Sequence, residues 1–359
     1  MQPQPRALSL AIGAALAIAF SIPAHALVIT QTSAQRTDQN LTAVDSTLGG
    51  VPVVSGPSTA TFGSYAQFNP DDGVLTAVTL NLGVTGSFRQ TNSTGNVGGN
   101  TTLDAAWSYF GQSSTHQLAA RSSAGTTTVS TNISTSLAPS ANFIGSGSVA
   151  GSSSASYTVS ANKTTQNGNG SPTITATYNR PGTENPTLSN NAVQTLTYTY
   201  LLHAAPSFDA DSNLMALTLD FGDVALNTTS FIDFSIFNRG IATDQVGLDF
   251  SIDDILASGN TAEFTTDLES FSRLEAGAGN DYKARFAATT LGATEAIYRL
   301  TFGDDATVGL AANRYRYSLD LRLIGRVVGE PPVNGVPEPG VLVLLGIGLL
   351  GIGLQRKRA

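Results

Sequence analysis

Apolar and polar positions alternate every second residue along much of this chain. Between residues 314 and 323, Tyr315, Tyr317, Leu319, Leu321 and Leu323 fall on one side, and Arg314, Arg316, Ser318, Asp320 and Arg322 on the other. Side chains alternate across a strand, so this run predicts a strand half-buried in an antiparallel sheet. Val74, Val78, Leu80 and Leu82 predict another, introduced by the turn residues Asn69-Pro70-Asp71-Asp72-Gly73. Leu196, Tyr198 and Tyr200 alternate with threonines, and Ile232, Phe234 and Ile236 share a face. Segments 156–160, 173–178 and 217–224 read as further strands. Long helical periodicity is missing from the body of the chain. The expected fold is all-β: two antiparallel β-sandwich domains of immunoglobulin-like or jelly-roll-like form, over 27–204 and 205–330.

Two apolar runs at the ends break the alternation. Arg6 precedes an apolar stretch over 11–22, and Ala24-His25-Ala26 supplies a small-x-small cleavage site. Together they read as a signal peptide over 1–26, used by the secretion translocase and removed by signal peptidase to leave Leu27 first. At the other end, residues 341–354 are only Val, Leu, Ile and Gly, followed by Arg356, Lys357 and Arg358. This predicts a transmembrane helix over 341–355 and a basic cytoplasmic tail over 356–359 that stops transfer. The apolar run would rise about 21 Å against a hydrocarbon core of about 30 Å. Snorkelling arginines and local thinning close part of that gap. A linker over 331–340 holds Pro331, Pro332, Pro337 and Pro339, which keep it extended.

Charge changes the picture of the two halves. The net charge is −8, but residues 27–204 carry six acidic against five basic side chains and residues 205–330 nineteen against nine. No basic stripe exists to neutralise phosphates, which argues against nucleic acid as a partner. From Gln90 to Asn179 only Asp104, Arg121 and Lys163 are charged, among abundant Ser, Thr, Asn and Gly. This tract is expected to hold exposed β structure with long mobile insertions. There is no cysteine, hence no disulfide, thiolate nucleophile or cysteine metal site.

Three resemblances add to this reading. Pro337-Glu338-Pro339-Gly340, the apolar run and the terminal Arg356-Lys357-Arg358 closely resemble the PEP-CTERM sorting tail of exported bacterial proteins. That resemblance implies processing by an exosortase after a transient stay in the inner membrane, delivery to the cell surface or extracellular matrix, and secreted exopolysaccharide as a partner. Residues 68–80, with 143–149 and Thr197-Tyr198-Thr199-Tyr200, resemble the choice-of-anchor E domain, although Asn69 stands where that family has Asp. The domain name implies no activity. Phe221-Gly222-Asp223-Val224 and Asn238-Arg239-Gly240 are similar to the immunoglobulin-like domains of the Hydin and spindle-protein class.

The residues offer little catalytic chemistry. His116 and His203 lie far apart in sequence, outside any nucleophile elbow or metalloprotease spacing. Asp71-Asp72, Asp253-Asp254 and Asp304-Asp305 are carboxylate pairs, but neighbours on a strand point to opposite faces, so turn chemistry or solvated charge is the plainer reading. Asp209, Asp211 and Asn213 begin like a calcium loop, yet Leu214 stands where Gly is needed and Asp220 where Glu is needed. A loose calcium site there is the only cofactor considered. Trp107 and Tyr109 would fill a core or, alternatively, stack on sugar rings. The reading is therefore a non-enzymatic exported protein, structural or adhesive in exopolysaccharide or biofilm, with a carbohydrate-binding or carbohydrate-degrading module as the alternative.

Overall fold

The computed structural model describes residues 26–35, 40–179 and 192–329. The proposed signal peptide through His25, the sorting motif, the apolar run and the basic cluster lie outside these residues. Ala26 is exposed, directly before the first strand.

The described residues are all-β, with three short 3-10 turns and no α-helix. In the first half the strands are β1 (Leu27–Gln35), β2 (Leu41–Asp45), β3 (Val53–Phe62), β4 (Val74–Asn92), β5 (Val97–Tyr109), β6 (Gln112–Arg121), β7 (Gly125–Leu137), β8 (Ser153–Gln166), β9 (Ile174–Asn179) and β10 (Ala192–Leu201). In the second half they are β11 (Pro206–Ser207), β12 (Ala216–Ala225), β13 (Thr229–Asn238), β14 (Leu248–Gly259), β15 (Phe264–Thr266), β16 (Phe271–Leu274), β17 (Gly279–Ala287), β18 (Gly292–Asp304) and β19 (Arg316–Val328).

The long β4 organises the first half. Its residues Val78–Gln90 pair with β7. The opposite edge is shared by β10, against Val74–Val84, and β9, against Ser87–Asn92. β1 and β2 complete this six-stranded sheet, and β3-β8-β5-β6 form a second one. Between them lies one buried cluster containing Leu80, Leu82, Phe88, Leu103, Trp107, Tyr157 and Tyr198. In the second half, sheets β11-β13-β17-β15 and β12-β19-β18-β14-β16 enclose another cluster, with Ile236, Phe264, Phe286, Leu300, Phe302, Leu319, Leu321 and Leu323. Removal of such side chains from water is the main force holding each body together.

Two expectations need correction. The tract 90–179 is not dominated by mobile insertions, because most of it lies in long strands: β5 has 13 residues, β7 13 and β8 14. Small or apolar side chains alternate inward while hydroxyls face out, and glycines serve the turns, such as Gly111 at φ 84°. The strand expected over 314–323 begins at Arg316 and is not bounded only by antiparallel neighbours. It pairs antiparallel with β18 but parallel with β12, from Ala216↔Asp320 to Ala225↔Val328.

The two halves touch where β4 begins. Pro70, Asp71 and Asp72 form a 3-10 turn capped by Asn69, whose side chain accepts from the Asp71 N–H. Gly73 follows at φ 150°, and a Cβ there would lie 2.2 Å from the Leu201 carbonyl oxygen. Only glycine lets the turn press this closely on the end of β10. The next residue, Val74, is fully buried in the second cluster rather than the first.

Candidate functional site

The most structured polar cluster sits at this contact. His203 lies just after β10, Asp304 ends β18, Tyr315 and Tyr317 flank the start of β19, and Pro70 and Asp71 come from the turn before β4. The Asp304 side chain is completely buried and that of His203 is 13% exposed. Asp304 Oδ1 accepts from the Ala204 N–H at 2.9 Å and the Tyr317 hydroxyl at 3.0 Å. Its Oδ2 accepts from the Tyr315 N–H at 2.7 Å and His203 Nδ1 at 2.8 Å. A buried carboxylate is stable only when its lone pairs are matched in this way.

The geometry also fixes the charge on His203. Nε2 lies 2.7 Å from the Pro70 carbonyl oxygen, which can only accept, so this nitrogen carries a proton. Nδ1 faces a carboxylate and carries the other. Burial alone would lower the imidazole pKa, but the Asp304 and Pro70 hydrogen bonds and the charges of Asp304 and Asp71 outweigh it and raise the pKa. For Asp304, burial opposes ionisation, yet the bonds from His203, Tyr315 and Ala204 hold its carboxyl below the usual range. Tyr315 stacks on the imidazole at 4.1 Å and 11°, and its hydroxyl donates to Asp71. One histidine thus joins a carboxylate of the second half to a carbonyl of the first.

Both ring nitrogens are occupied by contacts within the protein, and neither pairs with a hydroxyl among the described residues. The arrangement fastens rather than transfers protons. A cleft of about 430 Å³ opens beside it, where Asp249 and Asp254 are interspersed with Phe250, Phe302, Arg314 and Arg316. Among the described residues, no group of three or more His, Asp or Glu is placed to hold a metal ion.

The other candidates are scattered. His116 Nε2 contacts Ser114 Oγ at 3.0 Å on β6. Asp209 Oδ1 accepts from the N–H groups of Asp211 and Ser212, and these bonds, with the Ser212 side chain, hold its carboxyl below the usual range. That is a self-closed turn; Asp211 and Asn213 are exposed beside it. Asp253 is exposed and Asp254 partly so. Asp305 accepts from Thr307 and pairs with Arg273 at 3.4 Å. Trp107 and Tyr109 are 1% and 5% exposed, with ring centroids 4.4 Å apart inside the first cluster. The plain reading of Asp304 as turn or solvated charge is wrong. Its partner His203 is 101 residues away, so no local spacing could announce the pair.

The model for the PEP-CTERM protein-sorting motif matches residues 335–358. That motif implies an exported, cell-surface-directed protein processed by an exosortase. No curated protein matches the chain. Among solved structures, the chain is similar to the ASH / PapD-like domain of human CEP192, at 12% identity over 32% of this chain and 82% of that one, with a TM-score of 0.24. It is similar to the Vibrio cholerae VesB protease at 10% identity over 40% of each chain, TM-score 0.22. For infectious bursal disease virus, Gt strain, the identity is 13% over 49% of this chain and 38% of that one, TM-score 0.19. At such scores these likenesses assign neither a fold family nor an activity.

Proposed function

We propose that this chain is a non-enzymatic structural or adhesive protein of the cell surface or extracellular matrix, released from a transient inner-membrane anchor by an exosortase. The observation that carries this reading is the sorting motif at 335–358 attached to an all-β body. In this reading Pro337-Glu338-Pro339-Gly340 is the processing signal, residues 341–354 form the membrane span, and Arg356–Arg358 hold the C-terminus in the cytoplasm until processing. The two halves act as a choice-of-anchor E-like sandwich followed by an acidic immunoglobulin-like one, and secreted exopolysaccharide is the partner. The aromatic pair that a sugar-stacking module would need at Trp107 and Tyr109 is buried, which favours the structural role over the carbohydrate-binding alternative.

Intact mass and fractionation from the native host, with and without its exosortase, test the reading. The expected product is an extracellular form from about Leu27 to the Pro337–Gly340 region, lost in the exosortase-deficient host. Retention of the complete tail in both hosts would replace it with a permanent C-terminal anchor.

A further inference from the structure

Sheet edges are places where backbone donors and acceptors lack partners, and proteins usually guard them with charge, proline, bulges or shortness. Most edges here follow that rule. β3 contains Pro57 and shifts register between Ser55 and Ser58. β6 carries His116 and Arg121, and β12 carries Asp220 and Asp223. β2 has five residues and includes Asp45, while β15 and β16 have three and four. β1 is uncharged, but residues 63–66 lie along it: Gln31 bonds both the carbonyl and the N–H of Ala66, and Ser33 accepts from the Gly63 N–H.

Beyond its first residues, where the Arg121 guanidinium donates to Thr127 Oγ1 at 2.6 Å, β7 has none of these protections. Its 13 residues contain no charge and no proline, and its pairing with β4 runs without a register shift from Leu137 to Gly125. Among the described residues no strand pairs with its other side. Alternate residues of an edge strand point their N–H and C=O groups away from the sheet, so about half of this strand presents an unpaired ladder. Thr126, Thr128, Ser130, Asn132, Ser134 and Ser136 form an exposed row, while Val129, Ile133 and Leu137 are buried on the other face.

We propose that β7 is a self-association edge, at which a second copy of this chain pairs its own β7 antiparallel and continues the six-stranded sheet across a two-fold axis. An antiparallel pair of identical strands sets each residue of the exposed row opposite another residue of that same row, so a row of like charge would repel itself. β7 instead sets hydroxyls and amides opposite one another, which hydrogen-bond across a strand pair. The contact is isologous and closes at two copies. A two-fold perpendicular to the sheet keeps the buried row of both copies on the same face and leaves one residue opposite itself.

Sedimentation velocity on the full chain in a mild detergent tests the contact, with single cysteines placed in turn at positions 128 to 134. The expected results are a concentration-dependent dimer and efficient disulfide cross-linking at one position, where the Cα atoms approach to about 5.5 Å. With the two-fold at Thr131, the T128K/S134K variant sets lysines opposite each other and weakens the dimer by about tenfold or more. Both positions are exposed, so at concentrations low enough for both proteins to be monomeric its melting temperature stays at the wild-type value. A chain that remains monomeric up to its solubility limit overturns the proposal. So does a dimer that resists the lysine pair and yields no cross-link.

Discussion

The two halves are both layered β-sheet, yet they protect their surfaces by different means. The first half presents rows of threonine and serine. It also buries Lys163, whose ammonium donates to the Ser46 and Pro172 carbonyls at 2.8 and 2.9 Å. The second half sets opposite charges across neighbouring strands: Arg299 with Asp320 at 2.9 Å and Arg322 with Glu295 at 2.5 Å. Hydroxyl surfaces keep a strand soluble without fixing its neighbour's identity. Ion-paired surfaces favour one register, because a slip of one residue moves each charge to the opposite face. Among the described residues, the halves share one buried charge pair, His203 with Asp304, and it lies at their contact.

The largest disruption of this contrast is Asp304→Ala. Removing one partner of a buried pair leaves His203 uncompensated and the Ala204 and Tyr315 N–H groups unmatched, so a loss of about 3–5 kcal/mol is expected. Chemical denaturation reads it; a change below about 1 kcal/mol would mean that the contact does not depend on this carboxylate.

The next effect is on pH. His203 has a raised pKa in the folded protein, so its contribution is complete below the ordinary imidazole range and is lost as pH rises through the raised value. Melting temperature should therefore fall on the alkaline side, as pH rises through the raised His203 value. His203→Gln should remove that slope. An unchanged slope in the variant would assign the effect to other groups.

The smallest effect is at the surface. Arg322 and Glu295 are each half exposed, so Glu295→Gln should cost less than about 1 kcal/mol, and less still in high salt. A larger loss would show that cross-strand charge is a principal source of stability in the second half.

Much of the fold was legible because alternation is a local property. Leu80 and Leu82 in β4, and Leu319, Leu321 and Leu323 in β19, are buried where the pattern placed them. The first apolar residue of the predicted run is different. Tyr315 stands outside β19 because its ring stacks on His203 and its hydroxyl reaches Asp71, contacts that no neighbouring residue specifies. The serine-rich tract misled for a related reason. Its glycines and serines weaken a strand in isolation, but β4 and β8 supply full-length partners for β7 and β5. The buried pair at the contact depends on chain segments joined only by folding, so its residues carry no motif.

The pairing of Leu27 with Tyr200 has a consequence for the order of events during export. A chain that emerges N-terminus first presents β1 at once, but the strand it needs arrives only after about 170 further residues have crossed. Non-local pairing of this kind is slow to form and leaves sticky edges waiting. The first sheet therefore closes late, and the segment that crosses first must stay extended and unaggregated until nearly the whole first half has followed it.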